Sequence, residues 1–230
     1  MNLFRLFFEC LYTKYTQVGS SANYAVKREN DTLYLFFQDS EGAEDWKVNF
    51  DFQTKPYKRM GNTVWFAHRG FLKLWKTTEP LLTKYILNSK IKKIVIIGYS
   101  HGAAIALLCH EYVWYNRPDL RDTIEGYGFA CPRVIGGKSD KSVWKRWERF
   151  TVIRNLNDIV TQLPRQFLGY CHVGKMLEIG KSGKYSLVGA HRPENMLKEI
   201  TAYELKEFLL SKRENEAQKY FFVYKRNFCI

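Results

Sequence analysis

One uncharged stretch decides the fold: Ile94-Val-Ile-Ile-Gly-Tyr-Ser-His-Gly-Ala-Ala-Ile-Ala-Leu-Leu-Cys109. Its first part is a continuous β-branched run, which is typical of a strand buried on both faces. Its second part is rich in Ala and Leu, as a buried helix is. Between them lies a Gly-x-Ser-x-Gly motif, Gly98 to Gly102, which at a strand-to-helix turn lifts a serine hydroxyl clear of the sheet. Ser100 is therefore the predicted nucleophile.

The same stretch has two alternative interpretations, a membrane span and a chance motif. It is slightly short for a span, and its middle holds Gly, Tyr, Ser and His, where a lipid-facing helix would favour Leu. A chance motif seldom falls at the junction of an Ile/Val strand and an Ala/Leu helix. The context favours the nucleophile turn.

Composition limits the class of protein and its partners. The chain has 230 residues, 46% of them hydrophobic, which suits a single domain over residues 1–230 with a sizeable core. The net charge is +13, so anionic partners are favoured. The basic residues are scattered from Lys27 to Arg226, and no motif of a nucleic-acid reader appears, so we expect no nucleic-acid partner. An anionic phospholipid surface or an acidic ester substrate fits the charge as well.

The five cysteines are odd in number and widely spaced, which is typical of buried free thiols. No pair has the spacing of a zinc knuckle, so we expect no metal and no cofactor. The first residues, Met1 to Cys10, carry Arg5 and Glu9 in an apolar stretch and lack a small-residue cleavage site. Together with free thiols, these features predict a cytoplasmic protein.

Strand and helix patterns alternate along the rest of the chain around one predicted buried sheet, which defines the α/β class. An amphipathic helix is predicted over residues 3–15, and a long helix from about Gly70 to Lys90 with Leu72, Trp75, Leu82, Tyr85 and Ile86 inside. The last helix is predicted from Glu194 to about Arg213. The basic segment from Lys138 to Arg149, with Trp144 and Trp147, is interpreted as solvated cover.

A serine hydroxyl needs a base to take its proton and a carboxylate to orient that base. In sheet hydrolases with this turn the chain order is Ser, then Asp or Glu, then His. Asp158 ends a strand-rich segment after Ser100, at a strand's carboxyl end, and is the predicted carboxylate. Asp122 and Asp140 lie in polar stretches and are interpreted as solvated charges.

Five histidines compete for the role of the base. His68 precedes the serine, and His110 lies roughly 15 Å along the helix from it. His101 adjoins the serine and faces away, although its backbone N–H suits an oxyanion donor. His191 stands in the loop before the last helix, whereas His172 belongs to an edge strand. We favour His191 as the base and expect a structural role for His172.

These residues resemble the class 3 lipases, the fungal triacylglycerol lipase family. The resemblance rests on the Gly-Tyr-Ser-His-Gly motif, Phe37 to Ser40 before Asp45-Trp46, Val64 to Phe71, Asn157-Asp-Ile-Val160 and Ala190-His191. It covers roughly residues 22 to 200. It implies an α/β-hydrolase fold with a mostly parallel central sheet flanked by helices, carboxylic-ester hydrolysis and the triad Ser100, Asp158 and His191.

The resemblance also implies an oxyanion hole and a lid. The family's first oxyanion donor corresponds to Ser40 and the second to His101, and the family's lid corresponds to residues 41–49. This chain has Asp39 where the family has glycine beside the donor, and a carboxylate there would oppose the developing negative charge unless it caps the lid's first turn. The lid segment is polar, with Trp46 its main apolar residue.

The polar lid predicts a preference for short- or medium-chain esters, and the charge predicts contact with an anionic membrane surface. Three alternatives stay open from the sequence: a phospholipase A1-type activity, acyl transfer, and a non-catalytic lipid-binding protein.

Overall fold

The computed structural model of the chain describes residues 2–18, 22–38, 54–58, 64–136 and 139–227. The helices and strands follow in this order: α1 (Leu3–Tyr12), β1 (Thr16–Val18), β2 (Ala22–Glu29), β3 (Thr32–Gln38), β4 (Thr54–Lys58), β5 (Val64–His68), α2 (Arg69–Ile86), β6 (Lys93–Tyr99), α3 (His101–Asn116), β7 (Glu125–Phe129), β8 (Ile135–Gly136), β9 (Phe150–Asn155), β10 (Tyr170–Cys171), β11 (Lys175–Ile179) and α4 (Pro193–Asn227). Among these described residues, no helix is long and apolar enough to cross a membrane.

The main sheet has seven strands in the order β1-β2-β3-β6-β7-β9-β11. β1, β2 and β3 pair antiparallel, and from β3 to β11 every neighbouring pair is parallel. β6 lies in the middle, where Phe37 of β3 pairs with Gly98 and Phe129 of β7 pairs with Tyr99. The prediction of a mostly parallel central sheet is confirmed, and the carboxyl end of β6 lies at its centre.

Helices cover both faces of this sheet. α2 and α3 pack on one face in a cluster that includes Trp75, Ile96 and Leu107. α1 and α4 pack on the other face, where Phe7 and Met196 are fully buried. α3 is buried on all sides from Gly102 to Val113, which explains why its sequence shows no polar face.

A second sheet, β10-β8-β5-β4, is antiparallel and was not predicted. The expectation of one buried sheet was therefore incomplete. β8 and β10 contain two residues each, too few to show a period-2 pattern in the sequence. This sheet lies next to the start of α2, because β5 runs directly into that helix.

The predicted helices differ from the observed ones mainly at their ends. α1 ends at Tyr12 and α2 ends at Ile86, where the side chain of Asn88 accepts a hydrogen bond from Lys90 N and turns the chain. Tyr85 was placed inside α2 but is 36% exposed. α4 extends to Asn227, well beyond the predicted end near Arg213.

The interpretation of residues 138–149 as solvated cover was wrong. Lys141–Trp147 forms a 3-10 helix packed on α3. The Trp147 ring is fully buried, and its Nε1 donates to the carbonyl of Leu107 at 2.9 Å. Arg146 Nη1 lies 2.5 Å from Oε1 of Glu111, a fully buried carboxylate on α3. The charge of Arg146 therefore serves a buried partner, which spacing in the sequence does not reveal.

Candidate active site

Ser100 stands at the turn between β6 and α3 with backbone angles φ 54° and ψ −122°. A non-glycine residue at positive φ costs on the order of 1–3 kcal/mol, so the surrounding structure must hold the turn in place. Ser100 N donates to the carbonyl of Phe129 on β7 at 2.9 Å. The sharp turn that the motif predicts is present, and it raises Ser100 at the carboxyl end of the central strand.

The two glycines of the motif are required by close backbone contact. A Cβ on Gly98 would lie 2.5 Å from the carbonyl oxygen of Gly102. A Cβ on Gly102 would lie 2.3 Å from the carbonyl oxygen of Phe37 on the neighbouring strand β3. Both distances are far below van der Waals contact, so only glycine lets α3 start this close to the sheet.

His191 is the histidine next to the serine. It lies in the 3-10 turn Gly189–His191 just before α4, and its Nε2 is 2.8 Å from Ser100 Oγ. Its ring is 2% exposed. The loop before the last helix therefore delivers the ring where the predicted base has to stand.

Asp158 lies on the other side of that ring. His191 Nδ1 is 3.1 Å from Oδ1 and 3.0 Å from Oδ2 of this fully buried carboxylate. Val160 N also donates to Oδ1 at 2.9 Å, which fixes the carboxylate in the turn after β9. A carboxylate at Nδ1 favours the tautomer in which Nε2 is free to accept a proton from Ser100.

The remaining described histidines have other contacts. His68 caps α2, with Nδ1 accepting from Gly70 N at 3.2 Å. His172 Nε2 lies 2.8 Å from the carbonyl of Thr161, whose own hydroxyl donates to the carbonyl of Asp158. Burial lowers the pKa of His172 to about 4 and that of His110 to about 3, so both rings stay neutral. His172 thus supports the turn that carries Asp158, a role that its position in the sequence does not reveal.

Only one of the two predicted oxyanion donors lies in the described part of the chain. His101 is the first residue of α3, and a backbone N–H in the first helical turn has no acceptor within the helix. The partial positive charge of the helix N-terminus lies at the same point. Ser40, Asp39 and the lid segment 41–49 lie outside the described residues.

Within the described ranges, no group of three or more His, Cys, Asp or Glu side chains is arranged to hold a metal ion. Ser100, His191 and Asp158 together supply a hydroxyl, an imidazole and a carboxylate in contact. In such a set the hydroxyl attacks, the ring carries the proton and the carboxylate keeps the ring in place.

Two contacts of the turn that carries His191 could not be predicted from the sequence. Tyr99 OH donates to the His191 carbonyl, and Asn155 Nδ2 donates to the Ala190 carbonyl. Tyr99 was visible only as a variable position of the motif. Asn155 gave no signal, because a polar residue at a strand end is common.

Comparison with known proteins identifies the family. The family described as "Lipase (class 3)" matches residues 34–168, and the chain belongs to this family. It is 28% identical over 166 residues to the secreted mono- and diacylglycerol lipase A of Penicillium cyclopium, a match that covers 68% of this chain and 51% of that protein. It is 26% identical over 149 residues to a lipase of Rhizomucor miehei, covering 63% of this chain and 40% of the relative.

Solved structures agree on the fold. The crystal structure of a lipase from Rhizopus microsporus var. chinensis matches with a TM-score of 0.64 and 20% sequence identity, covering 79% of this chain and 70% of that one. The α/β-hydrolase fold is therefore confirmed. The chain spans about half the length of the Penicillium relative.

The prediction of a cytoplasmic protein is contradicted by the Penicillium relative, which is secreted according to its name. Neither premise of that prediction decides the compartment. Cys10, Cys109 and Cys131 are fully buried, so burial protects these thiols whatever the compartment. The N-terminal stretch forms α1, whose apolar residues pack on the sheet, and its composition therefore reflects packing.

Proposed function

We propose that this chain hydrolyses carboxylic esters through an acyl-enzyme formed on Ser100. His191 Nε2 takes the proton of the hydroxyl while Oγ attacks the ester carbonyl, and it then passes that proton to the leaving alcohol. Water, activated by the same nitrogen, attacks the acyl-enzyme, which releases the acid and regenerates the Ser100 hydroxyl. Asp158 stabilises the protonated ring through Nδ1. The backbone N–H of His101, in the first turn of α3, binds the oxyanion. By resemblance, the backbone N–H of Ser40 binds it as well.

One observation carries this proposal: the unbroken chain of contacts from Ser100 Oγ to His191 Nε2 at 2.8 Å and from His191 Nδ1 to Asp158 at 3.0 Å. The nucleophile is held in a strained turn, which is typical of a functional site. Membership of the lipase family supports the same reaction class.

Lipid esters are the proposed substrates, and acylglycerols are the first to assay, because a relative is named for its action on mono- and diacylglycerols. The same name supports an extracellular place of action. The preference for short- or medium-chain esters stays a prediction, since it depends on residues 41–49, outside the described residues.

Turnover of a soluble p-nitrophenyl ester by the Ser100→Ala variant tests the proposal. We expect the rate to fall by at least about 10³-fold, because loss of the nucleophile removes the covalent route. Ser211→Ala is the matched control, since Ser211 is exposed on α4, where its Oγ donates to the Phe208 carbonyl, and its loss should leave the rate unchanged. Unchanged turnover by Ser100→Ala would reject the assignment.

A further inference from the structure

Three consecutive carbonyls of the turn that carries His191 each accept a hydrogen bond from a side chain. Asn195 Nδ2 donates to Gly189 O at 2.9 Å, and Asn155 Nδ2 donates to Ala190 O at 2.9 Å. Tyr99 OH donates to His191 O at 2.5 Å. Side chains therefore hold this turn from three directions.

The sequence of the turn explains why it needs these donors. Pro193 has no N–H and so cannot donate to the Ala190 carbonyl as the next turn of a 3-10 helix would. Asn195 N, which could reach the His191 carbonyl in a continuing α-helix, donates instead to Arg192 O at 3.1 Å. Buried carbonyls without a donor are costly, and Asn155 and Tyr99 supply the missing donors.

The two buried donors are chain neighbours of the other site residues. Tyr99 directly precedes Ser100, and Asn155 ends β9, with its carbonyl accepting from Asp158 N at 3.0 Å. Asn155 is fully buried and Tyr99 is 8% exposed. The Tyr99 ring also stacks on the His191 ring, with centroids 5.4 Å apart and an angle of 19° between the planes. The histidine turn is thus bonded to the strand end of the nucleophile and to that of the carboxylate.

We propose that Tyr99 and Asn155 are positioning residues, which hold the His191 turn in register with Ser100 and Asp158 during ester hydrolysis. This role rests on the proposed function. Neither side chain donates a hydrogen bond to a reacting atom: Asn155 acts through the backbone of the turn, and Tyr99 acts through that backbone and through its stacked ring. A small displacement of a catalytic group lowers the rate of the chemical step and leaves substrate affinity nearly unchanged.

The Tyr99 phenol holds its proton more tightly than an exposed tyrosine does. Burial raises the pKa of its phenol well above the ordinary value, and the nearby charge of Asp158 acts in the same direction. The hydrogen bond to His191 O therefore persists in alkaline solution.

Tyr99→Phe removes a single oxygen atom and keeps the stacked ring, which makes it the first test. We expect kcat for a p-nitrophenyl ester to fall about 5- to 30-fold with KM changed by less than about 2-fold. Tyr127→Phe is the matched control: Tyr127 OH donates to Glu125 Oε2 at 3.1 Å on the same face of the sheet, away from the turn. A kcat for Tyr99→Phe equal to that of Tyr127→Phe would overturn the role of Tyr99.

Asn155→Ala, compared with Asn116→Ala, tests the second donor. Asn116 Nδ2 also donates to a backbone carbonyl, that of Tyr112, but at the far end of α3. We expect kcat to fall at least about 10-fold for Asn155→Ala alone. The double variant with Tyr99→Phe should show a fall in kcat smaller than the product of the two single falls, because both donors hold one turn. Equal kcat for the two asparagine variants would overturn the role of Asn155.

These results separate the inference from the proposed function. Wild-type protein that turns over no ester would reject the function and the positioning role with it. Active wild-type protein with an unimpaired Tyr99→Phe variant would reject the positioning role alone. If Asn155→Ala does not fold, the Tyr99→Phe variant still decides, through the rate at which a fluorophosphonate labels Ser100. Mispositioning slows this labelling in every folded molecule, whereas a loss of folded protein lowers activity and leaves the labelling rate of the folded molecules unchanged.

Discussion

At the residue scale, His191 and His172 differ in what their rings contact, and this difference gives the first prediction. His191→Ala removes the base beside Ser100 Oγ and should lower ester turnover of the folded protein by at least about 10³-fold. His172→Ala removes the contact with the Thr161 carbonyl, so its main effect should be on stability, by about 1–3 kcal/mol. Ester assays with urea unfolding of both variants measure this, and the reverse pattern would contradict the assignment.

His172 and His110 also predict how stability depends on pH. Burial lowers the pKa of His172 from the ordinary 6.5 to about 4, and that of His110 to about 3. Between pH 6.5 and 4 the unfolded chain therefore binds protons that the folded chain excludes, and stability falls as the pH falls through this window. His172 alone should account for about 2 kcal/mol between pH 7 and pH 5.

Urea unfolding at pH 7 and pH 5 checks the pH prediction. The window above pH 5 lies above the ordinary titration range of carboxylates, so the histidines dominate it. His172→Gln keeps an amide near the Thr161 carbonyl and removes the titratable imidazole ring. This variant should therefore lose less stability on acidification than the wild type. An equal loss in both proteins would assign the effect to other groups.

At the element scale, the junction of β3, β6 and α3 depends on glycine. Gly102→Ala would place a Cβ 2.3 Å from the Phe37 carbonyl oxygen, a backbone atom that cannot rotate away. We expect this variant to lose at least about 3 kcal/mol or to fail to fold, as overpacking against backbone does. Gly70→Ala, in the first turn of α2, is the control, because its Cβ would meet only the His68 ring at 3.2 Å. Thermal unfolding of both variants measures the difference, and equal midpoints would contradict the packing argument.

The elements that the sequence predicted are those with a strong local pattern. β6 and α3 could be predicted because a β-branched run and an Ala/Leu run meet at Gly98 to Gly102. The second sheet could not, because β8 and β10 are held by pairing with distant residues. The burial of Trp147 depends on a bond to the Leu107 carbonyl, 40 residues away in the chain. The site followed from chain order, but Tyr99 and Asn155 required the three-dimensional contacts.

At the scale of the whole molecule, net charge and exposed apolar side chains favour contact with an anionic lipid surface. The charge is +13. Two pairs of exposed apolar residues flank the site: Phe167 and Leu168 after the turn that follows Asp158, and Leu187 and Val188 before the His191 turn. Ile159 N donates to the Leu187 carbonyl, which connects the second pair to the turn that carries Asp158. Such side chains can insert into a headgroup region while the charge attracts the protein to it.

Leu187→Ser tests this surface against Leu87→Ser as the matched control. Leu187 is 53% exposed beside the site, and Leu87 is 47% exposed at the end of α2. Leu187→Ser should weaken binding to anionic vesicles about 10- to 100-fold, the effect of withdrawing one leucine from an apolar phase, and Leu87→Ser should not. Added salt should weaken wild-type binding by screening the charge. Binding that salt does not change, or no binding at low salt, would contradict the prediction.

Ser100, activated by His191 and Asp158, is the proposed nucleophile of an ester hydrolase. Covalent labelling by a fluorophosphonate, located by mass spectrometry of the digested protein, tests this role, because the reagent reacts with activated serines. We expect one labelled residue, Ser100, with labelling slowed by at least about 10²-fold in His191→Ala and abolished in Ser100→Ala. An unlabelled wild-type protein, or a label on another serine, would reject this role for Ser100.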